Sequence, residues 1–183
     1  MSTAGPNAPG TMTDDAAVGV GVWATVDNAK VNDTSYATNG SGTPATHYLK
    51  ATAFGFAIPS GATINGIQVG ITRKASNNAK FEYSSDNIVS LVKGGTVSGD
   101  NKFNAGVKWP TSDGTVTYGT TSDLWGTTWA YTDINASNFG VVLSANTVTA
   151  TASVNFISVT ITYTEGGGGG PVKQMMHTVR MRA

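Results

Sequence analysis

The chain has 183 residues, of which only 12% are charged, and its 11 basic residues balance 11 acidic ones. A neutral chain lacks the excess of Lys and Arg that binds phosphate backbones, so we expect no nucleic-acid partner. The chain contains no cysteine, which excludes disulfides and thiolate metal sites, and it has no apolar run long enough to cross a membrane, so we expect no membrane partner. The length predicts one domain that can bury a substantial core.

The beginning of the chain changes character at about residue 18. Residues 1–17 are small, polar and interrupted by Gly and Pro, which predicts a flexible N-terminal arm. Residues 18–23 alternate Val with Gly and end in Trp23, and this pattern predicts the first strand. Residues 27–42 carry turn-forming residues at high density and predict a loop. The folded domain is therefore expected to span residues 18–165.

The most regular passage follows at residues 48–74. Ile67, Val69 and Ile71 alternate with polar residues and glycine, which predicts a strand with one buried face. The apolar residues of segment 49–58 predict a second strand before it. Pro59-Ser60-Gly61 lies between the two and predicts a chain reversal, either as a β-hairpin or as a β-arch.

Strands dominate the remainder of the domain. Residues 88–92, 97–103 and 139–143 predict three of them, and the clearest alternation runs from Ile157 to Tyr163. Asp133 can cap a turn or a single helical turn at 133–135. About eight strands at these spacings predict an all-β fold, an antiparallel two-sheet, jelly-roll-like β-sandwich with extended N- and C-terminal arms. We expect little or no helix.

The composition changes abruptly after Glu165. Residues 166–170 are five glycines, which predict a flexible linker, and residues 171–183 form a tail with three basic residues and no acidic one. Such a tail suits docking by addition of a strand to a neighbour's sheet, because methionines fill adaptable pockets and basic groups complement an acidic surface. The alternative is an unstructured extension. The predicted docking residues are Val172, Lys173, Met175, Met176, Val179, Arg180, Met181 and Arg182.

Several motifs of the sequence resemble those of a known family of domains. They are the segment from Tyr48 to Val69 (YLKATAFGFAIPSGATINGIQV), Leu124-Trp-Gly126, Asp133-Ile-Asn135, Asn138-Phe-Gly-Val141 and Val159-Thr-Ile-Thr-Tyr163. Together they resemble a β-sandwich domain of virion-associated proteins of tailed phages, which also occurs in bacterial surface and prophage proteins. The resemblance spans about residues 23–164 and implies a capsid decoration or fibre-like module. It assigns no catalytic or binding residue.

Candidate chemical sites are sparse. The two histidines, His47 and His177, lie far apart in the sequence, as do the two glutamates, so we expect no enzyme, no cofactor and no metal site built on histidine. An aromatic group can form a sugar-stacking platform, or its rings can fill the ends of the sandwich. Three aspartates can help bind Ca²⁺ or can cap turns. The aromatic group is Trp109, Tyr118, Trp125, Trp129 and Tyr131, and the aspartates are Asp27, Asp33 and Asp86.

These observations predict a non-enzymatic structural protein of a virus particle. The first expectation is a capsid decoration or cement protein on the particle surface, a homo-oligomer or a partner of the major capsid protein, which assembles through its extended termini. One alternative is a glycan- or receptor-binding module of a phage fibre or tail. The other is a self-assembling filament or surface-layer subunit.

Overall fold

The computed structural model describes residues 1–166, which form two packed antiparallel β-sheets. The predicted tail, and with it every predicted docking residue, lies outside the described residues. The strands within that range are β1 (Ser2–Asn7), β2 (Thr11–Asp15), β3 (Trp23–Ala24), β4 (Ala37–Asn39), β5 (Tyr48–Thr52), β6 (Thr63–Ala75), β7 (Tyr83–Lys93), β8 (Thr96–Ser98), β9 (Gly114–Tyr118), β10 (Gly140–Val148) and β11 (Ala152–Thr164).

The strand order is that of a jelly roll. The first sheet has the order β3-β4-β11-β6-β9, and β1 also pairs with β11; the second sheet has the order β2-β5-β10-β7-β8. From β4 onward the chain therefore builds two four-stranded sheets, β4-β11-β6-β9 and β5-β10-β7-β8, as in double-sheet jelly rolls. The predicted fold class, an all-β two-sheet sandwich, is confirmed.

Strand alternation explains where the core lies. Ile157, Val159 and Ile161 of β11 are buried, whereas Ser158 and Thr160 between them are partly exposed. The apolar set of β6 is buried in the same way, so each of these strands turns one face towards the opposite sheet. Buried side chains from both sheets form one continuous cluster, and hydrophobic burial is the main stabilising contribution.

Helix is confined to two short pieces within the described residues. A 3₁₀ helix spans Val26–Lys30, and α1 spans Tyr131–Asn135. Asp133, predicted to begin this turn, lies inside α1 as its third residue, and its carboxylate accepts a hydrogen bond of 2.9 Å from the N–H of the N-cap residue Ala130. Neither helix is long and apolar enough to cross a membrane.

The prediction of a flexible N-terminal arm is wrong. Residues 2–7 form β1 beside β11, with Ser2 paired to Tyr163, and residues 11–15 form β2 at the edge of the second sheet. Met12 is buried, and Asn7 Nδ2 donates to the Phe54 carbonyl at 2.9 Å. The segment is ordered by main-chain pairing with distant strands, which its small, polar composition does not reveal.

The predicted first strand at residues 18–23 is also wrong, apart from its end. Only Trp23 and Ala24 form β3, while Val20 and Val22 are exposed. The N–H groups of Val20 and Gly21 both donate to the Ala45 carbonyl, so the segment runs as a loop along the β4–β5 connection.

The chain reversal at residues 59–61 is a β-arch, because β5 lies in the second sheet and β6 in the first. Residues 53–58, predicted as part of a strand, are not paired in either sheet, although Phe54, Phe56 and Ile58 are buried. The Asn135 side chain takes the place of a neighbouring strand, since its amide group accepts from the Ile58 N–H at 2.8 Å and donates to the Ile58 carbonyl at 2.9 Å.

The strand registers define two ends of the sandwich. Tyr83 pairs with Val148, four residues before β11 begins, and we call this the cavity end because a cavity opens beside Tyr83. Ser2 pairs with Tyr163 near the end of β11, and we call this the terminal end. The 13 residues of β11 place the two ends about 40 Å apart at the rise of a β-strand.

Candidate functional site

A cavity of about 260 Å³ opens at the cavity end of the second sheet. We call it the β7 cavity, because Tyr83 and Ser85 of β7 form one of its walls. Asn146 of β10 pairs directly with Ser85. On the other side of β7, the backbone of Lys108 forms an isolated antiparallel β-bridge with Ser85. The cavity is lined by Tyr83, Ser85, Asp86, Phe103, Ala105, Gly106, Lys108 and Asn146.

Asp86 connects the β7 cavity to a buried polar cluster. Its carboxylate accepts a hydrogen bond from the indole N–H of Trp109 at 2.8 Å and from the Tyr118 hydroxyl at 2.8 Å. The Nη2 atom of Arg73 lies 3.1 Å from Oδ1 and 3.2 Å from Oδ2. The side chains of this ion pair are 1% and 0% exposed. We call Arg73, Asp86, Trp109 and Tyr118 the Asp86 cluster.

The Arg73 guanidinium lies between two aromatic rings. Its central carbon is 4.8 Å from the centroid of Trp109 and 5.5 Å from that of Tyr118, which is within the range of cation–π attraction. Its Nη1 atom also donates to the Tyr118 hydroxyl. Burial raises the pKa of Tyr118 well above that of a free phenol, so Tyr118 is neutral at ordinary pH. The buried cation is therefore balanced by Asp86 alone.

Asp86 also holds the loop that closes the β7 cavity. The Asn104 N–H donates to its carboxylate at 3.1 Å, and the Trp109 indole N–H donates from the other end of the same loop. The main-chain N–H of Trp109 donates to the Ser84 carbonyl at 2.8 Å. Residues 105–108, which complete the lining, are thereby fixed at both ends.

Two aromatic side chains at the β7 cavity remain accessible to solvent. Tyr83 is half-buried, and the ammonium of Lys108 lies 4.6 Å from its ring centroid. Phe103 is 42% exposed, so part of its phenyl ring faces solvent. Lys108 uses one donor for the Ala79 carbonyl at 2.7 Å, which leaves part of its ammonium free to contact another group.

The predicted sugar-stacking platform is wrong for four of its five members. The exposed fractions of Trp109, Tyr118, Trp125 and Trp129 are 0%, 3%, 0% and 7%, so these rings fill the sandwich, which was the alternative interpretation. Trp125 donates its indole N–H to the Ile67 carbonyl at 2.9 Å, inside the terminal half of the sandwich. Only Tyr131 is partly exposed, and its hydroxyl bonds to Ser60 at 3.2 Å.

The three predicted calcium ligands do not meet. Asp27 pairs with Lys30 at 2.7 Å, Asp33 accepts from the Ser35 N–H at 2.6 Å, and Asp86 is buried beside Arg73. Among residues 1–166, no group of three or more His, Asp or Glu side chains could hold a metal ion. His47, the residue before β5, has its Nδ1 atom 2.8 Å from the carboxylate of Asp14 in β2.

The β7 cavity is a site that sequence reasoning missed. The burial of Arg73 could have been predicted from the sequence. Arg73 follows Val69 and Ile71 at a spacing of two residues, so its side chain must lie on the same, buried face of β6. Asp86 carried no such signal. β7 has one extra residue, Asn87, because Ile88 pairs with Ser144 and Asp86 with the next residue of β10, Ala145, and this bulge turns Asp86 inward. Phe103 lies in an irregular segment, next to Asn104, whose N–H donates to the Asp86 carboxylate.

No protein-family model matches the chain, and neither a curated protein nor a solved structure matches it. The resemblance to phage virion sandwich domains therefore rests on the residues named in the sequence analysis. The contacts around the two ends of the sandwich are the remaining basis for a functional proposal.

Proposed function

We propose that this protein is a non-enzymatic structural component of a virus particle, a decoration or cement protein on the particle surface. Its partners are further copies of itself or the major capsid protein, and its tail docks on them. The sequence resemblance over residues 23–164 supports this class, as does the jelly-roll strand order, which is common among viral capsid domains. The observation that carries the proposal is the position from which the tail leaves the sandwich.

The last described residues before the tail lie at the terminal end, next to the N-terminus. The Ser2 hydroxyl lies 3.2 Å from the Glu165 carboxylate, and Ser2 pairs with Tyr163. Gly166 packs so closely against Gly61 that an added Cβ would lie 2.4 Å from the Gly61 carbonyl oxygen. The described chain therefore ends at one defined point of the fold, and we propose that the tail docks on a neighbouring molecule at this end.

The charges of the two parts are opposite. Residues 1–166 contain all 11 acidic residues and, without Lys173, Arg180 and Arg182, eight of the 11 basic ones. The sandwich therefore carries a formal charge of −3, and the tail carries +3. Attraction between opposite charges favours docking of the tail on the sandwich of a second copy or on an acidic capsid surface.

Two sheet edges could receive such a tail. β2 ends the second sheet and β9 ends the first, and each has five residues. A tail strand added at either edge would gain main-chain hydrogen bonds, and its apolar side chains would gain burial. Backbone ordering costs about 1–2 kcal/mol per residue, so these gains must come from several contacts together or from many copies on a lattice.

Two side chains of residues 1–166 that could take part in acid–base chemistry are held in structural contacts, which favours a structural role. His47 is tied to Asp14, and the buried Asp86 carboxylate is used by four neighbouring residues. The filament or surface-layer alternative uses the same tail and differs only in needing no capsid. The other alternative, a glycan- or receptor-binding module of a fibre or tail, was based on the aromatic platform, and four of the five rings of that platform are buried.

The test compares three proteins by sedimentation velocity and by co-sedimentation with virus particles that lack the protein. They are the full chain, a version that ends at Gly166, and a full-length variant in which Lys173, Arg180 and Arg182 are changed to Glu. We expect the full chain to associate and the other two to remain free monomers. Polymers of the full chain without particles would favour the filament alternative. Equal association of all three proteins would overturn the proposal.

A second tail variant separates charge from apolar contact. Changing Met175, Met176 and Met181 to Gln keeps the length and charge of the tail and removes its longest apolar side chains. Docking by strand addition predicts weaker association of this variant, because the pockets that receive the methionines stay unfilled. Unchanged association would show that charge alone holds the tail.

A further inference from the structure

We infer that the β7 cavity binds one hexopyranose unit of a carbohydrate. The site is distinct from the predicted aromatic platform, and it stands independently of the proposed docking tail, because Gly166, the last described residue before that tail, lies at the opposite end of the sandwich. The inference depends on the size of the cavity, its two accessible rings, its polar groups and the fixed position of its loop.

The size of the cavity suits a single ring. Pockets for drug-sized ligands have volumes of about 300–1,000 Å³. The β7 cavity, at about 260 Å³, lies just below that range and is too small for an extended ligand. It is open to solvent on one side, so a sugar unit in the cavity can remain attached to a longer chain outside it.

The accessible rings explain why the ligand should have an apolar face. Phe103 is 42% exposed although its loop is held by Asp86, and Tyr83 presents part of its ring beside it. A pyranose has C–H groups on one face, and covering a phenyl ring with them removes apolar surface from water. The hydroxyl groups at the rim of the same ligand require polar partners.

Those partners lie side by side on adjacent strands. Ser85 and Asn146 are directly paired residues of β7 and β10, and both line the cavity. A side-chain amide offers donors and an acceptor, and a serine hydroxyl offers both, so together they match two neighbouring hydroxyl groups of a sugar. The remaining donors of Lys108 can reach a third oxygen. A purely apolar ligand would leave these three groups without partners.

The cavity is formed before any ligand arrives. Asp86 fixes the loop at Asn104 and at Trp109, so the wall that contains residues 105–108 has little freedom left to lose. Preorganisation of this kind lowers the entropic cost of binding. It also gives the costly buried ion pair of Asp86 and Arg73 a role, since the pair positions the wall of the binding site.

The test is saturation-transfer difference NMR of the full-length protein with glucose, galactose, mannose, rhamnose and N-acetylglucosamine, each at millimolar concentration. We expect ring C–H signals of at least one of these sugars to receive saturation from the protein. We expect Phe103→Ala to weaken the affinity for that sugar about fivefold or more, because it removes the stacking surface. Asn146→Ala should weaken it as well, by removal of the hydroxyl partner.

Phe81→Ala is the matched control. Phe81 is 72% exposed, near the same end of the sandwich, but it does not line the cavity, so its removal should leave the signal unchanged. Circular dichroism and ¹⁵N–¹H spectra establish that each variant is folded, which the exposure of both phenyl rings favours. The inference is overturned if none of the five sugars receives saturation, or if Phe81→Ala weakens binding as much as Phe103→Ala.

Discussion

Asp86→Ala is the substitution whose effect the structure predicts most sharply. It would leave the Arg73 guanidinium, 1% exposed, without its counterion, and it would leave the Trp109 indole N–H without an acceptor. Removing one partner of a buried ion pair costs about 3–5 kcal/mol, and an orphaned buried donor costs about 1–3 kcal/mol. We therefore expect the free energy of unfolding to fall by about 4–8 kcal/mol, a large part of the usual total of about 5–15 kcal/mol.

The double variant Arg73→Met with Asp86→Ala makes the prediction specific to charge. It removes both buried charges and leaves apolar groups in their place. Replacing a whole buried ion pair by apolar residues is often neutral or stabilising relative to the intact pair, whereas removing one partner is strongly destabilising. We therefore expect the double variant to be more stable than Asp86→Ala alone, with an interaction energy of about 0.5–3 kcal/mol in the double-mutant cycle.

The assay is urea unfolding followed by tryptophan fluorescence, with the free energy obtained by linear extrapolation. Asp27→Ala is the control, because its pair with Lys30 lies at the surface, with the Asp27 side chain 72% exposed, and should contribute at most about 1 kcal/mol. The reasoning is refuted if Asp86→Ala costs no more than Asp27→Ala. It is also refuted if the effects of Arg73→Met and Asp86→Ala simply add.

Three further predictions concern other parts of the fold. Burial raises the pKa of Tyr118, so its neutral form stabilises the fold fully below about pH 10, and this contribution is lost as the pH rises towards the folded-state pKa. The phenolate absorbance of Tyr118, measured as the difference between the wild type and Tyr118→Phe, should therefore appear only at the pH where unfolding begins. Its appearance near pH 10 in the folded protein would contradict this. Gly140→Ala should lower the free energy of unfolding by more than about 2 kcal/mol, since the added Cβ would lie 2.1 Å from the Ala51 carbonyl oxygen. Gly40→Ala, which has open space around it, should lower it by less than about 0.5 kcal/mol in the same urea assay. Deleting residues 1–15 removes β1 and β2 and should lower the urea midpoint markedly; an unchanged midpoint would mean that the segment is a dispensable arm after all.

Local alternation made the centre of the sandwich predictable. In β6 and β11 a period of two residues separates buried from partly exposed positions, because each strand presents one face to the opposite sheet. Turn chemistry at Pro59-Ser60-Gly61 also predicted the chain reversal. Neither signal states which sheet a strand joins, and for that reason the hairpin and the arch could not be distinguished from the residues alone.

The N-terminal segment and the β7 cavity were not predictable for a different reason. β1 has hardly any apolar side chains, and its order comes from main-chain pairing with residues about 150 positions away. The cavity depends on the bulge at Asn87 of β7, opposite Ser144 and Ala145 of β10, which reverses the parity of Asp86. A one-residue irregularity in one strand thus decides whether a carboxylate faces solvent or a buried arginine, and no local pattern of β7 encodes it.

The topology lets the two proposals be tested separately. In an antiparallel sandwich, successive connections lie at alternate ends, so the β5–β6 arch lies at the terminal end with Met1 and Gly166, while the β6–β7 connection lies at the cavity end. The two ends are about 40 Å apart along β11. Variants beyond residue 166 should therefore change association and leave sugar binding intact, and variants of the cavity should do the reverse. If either set of variants changed both properties, the two functions would share one surface, and the assignment of assembly to one end and sugar binding to the other would fail.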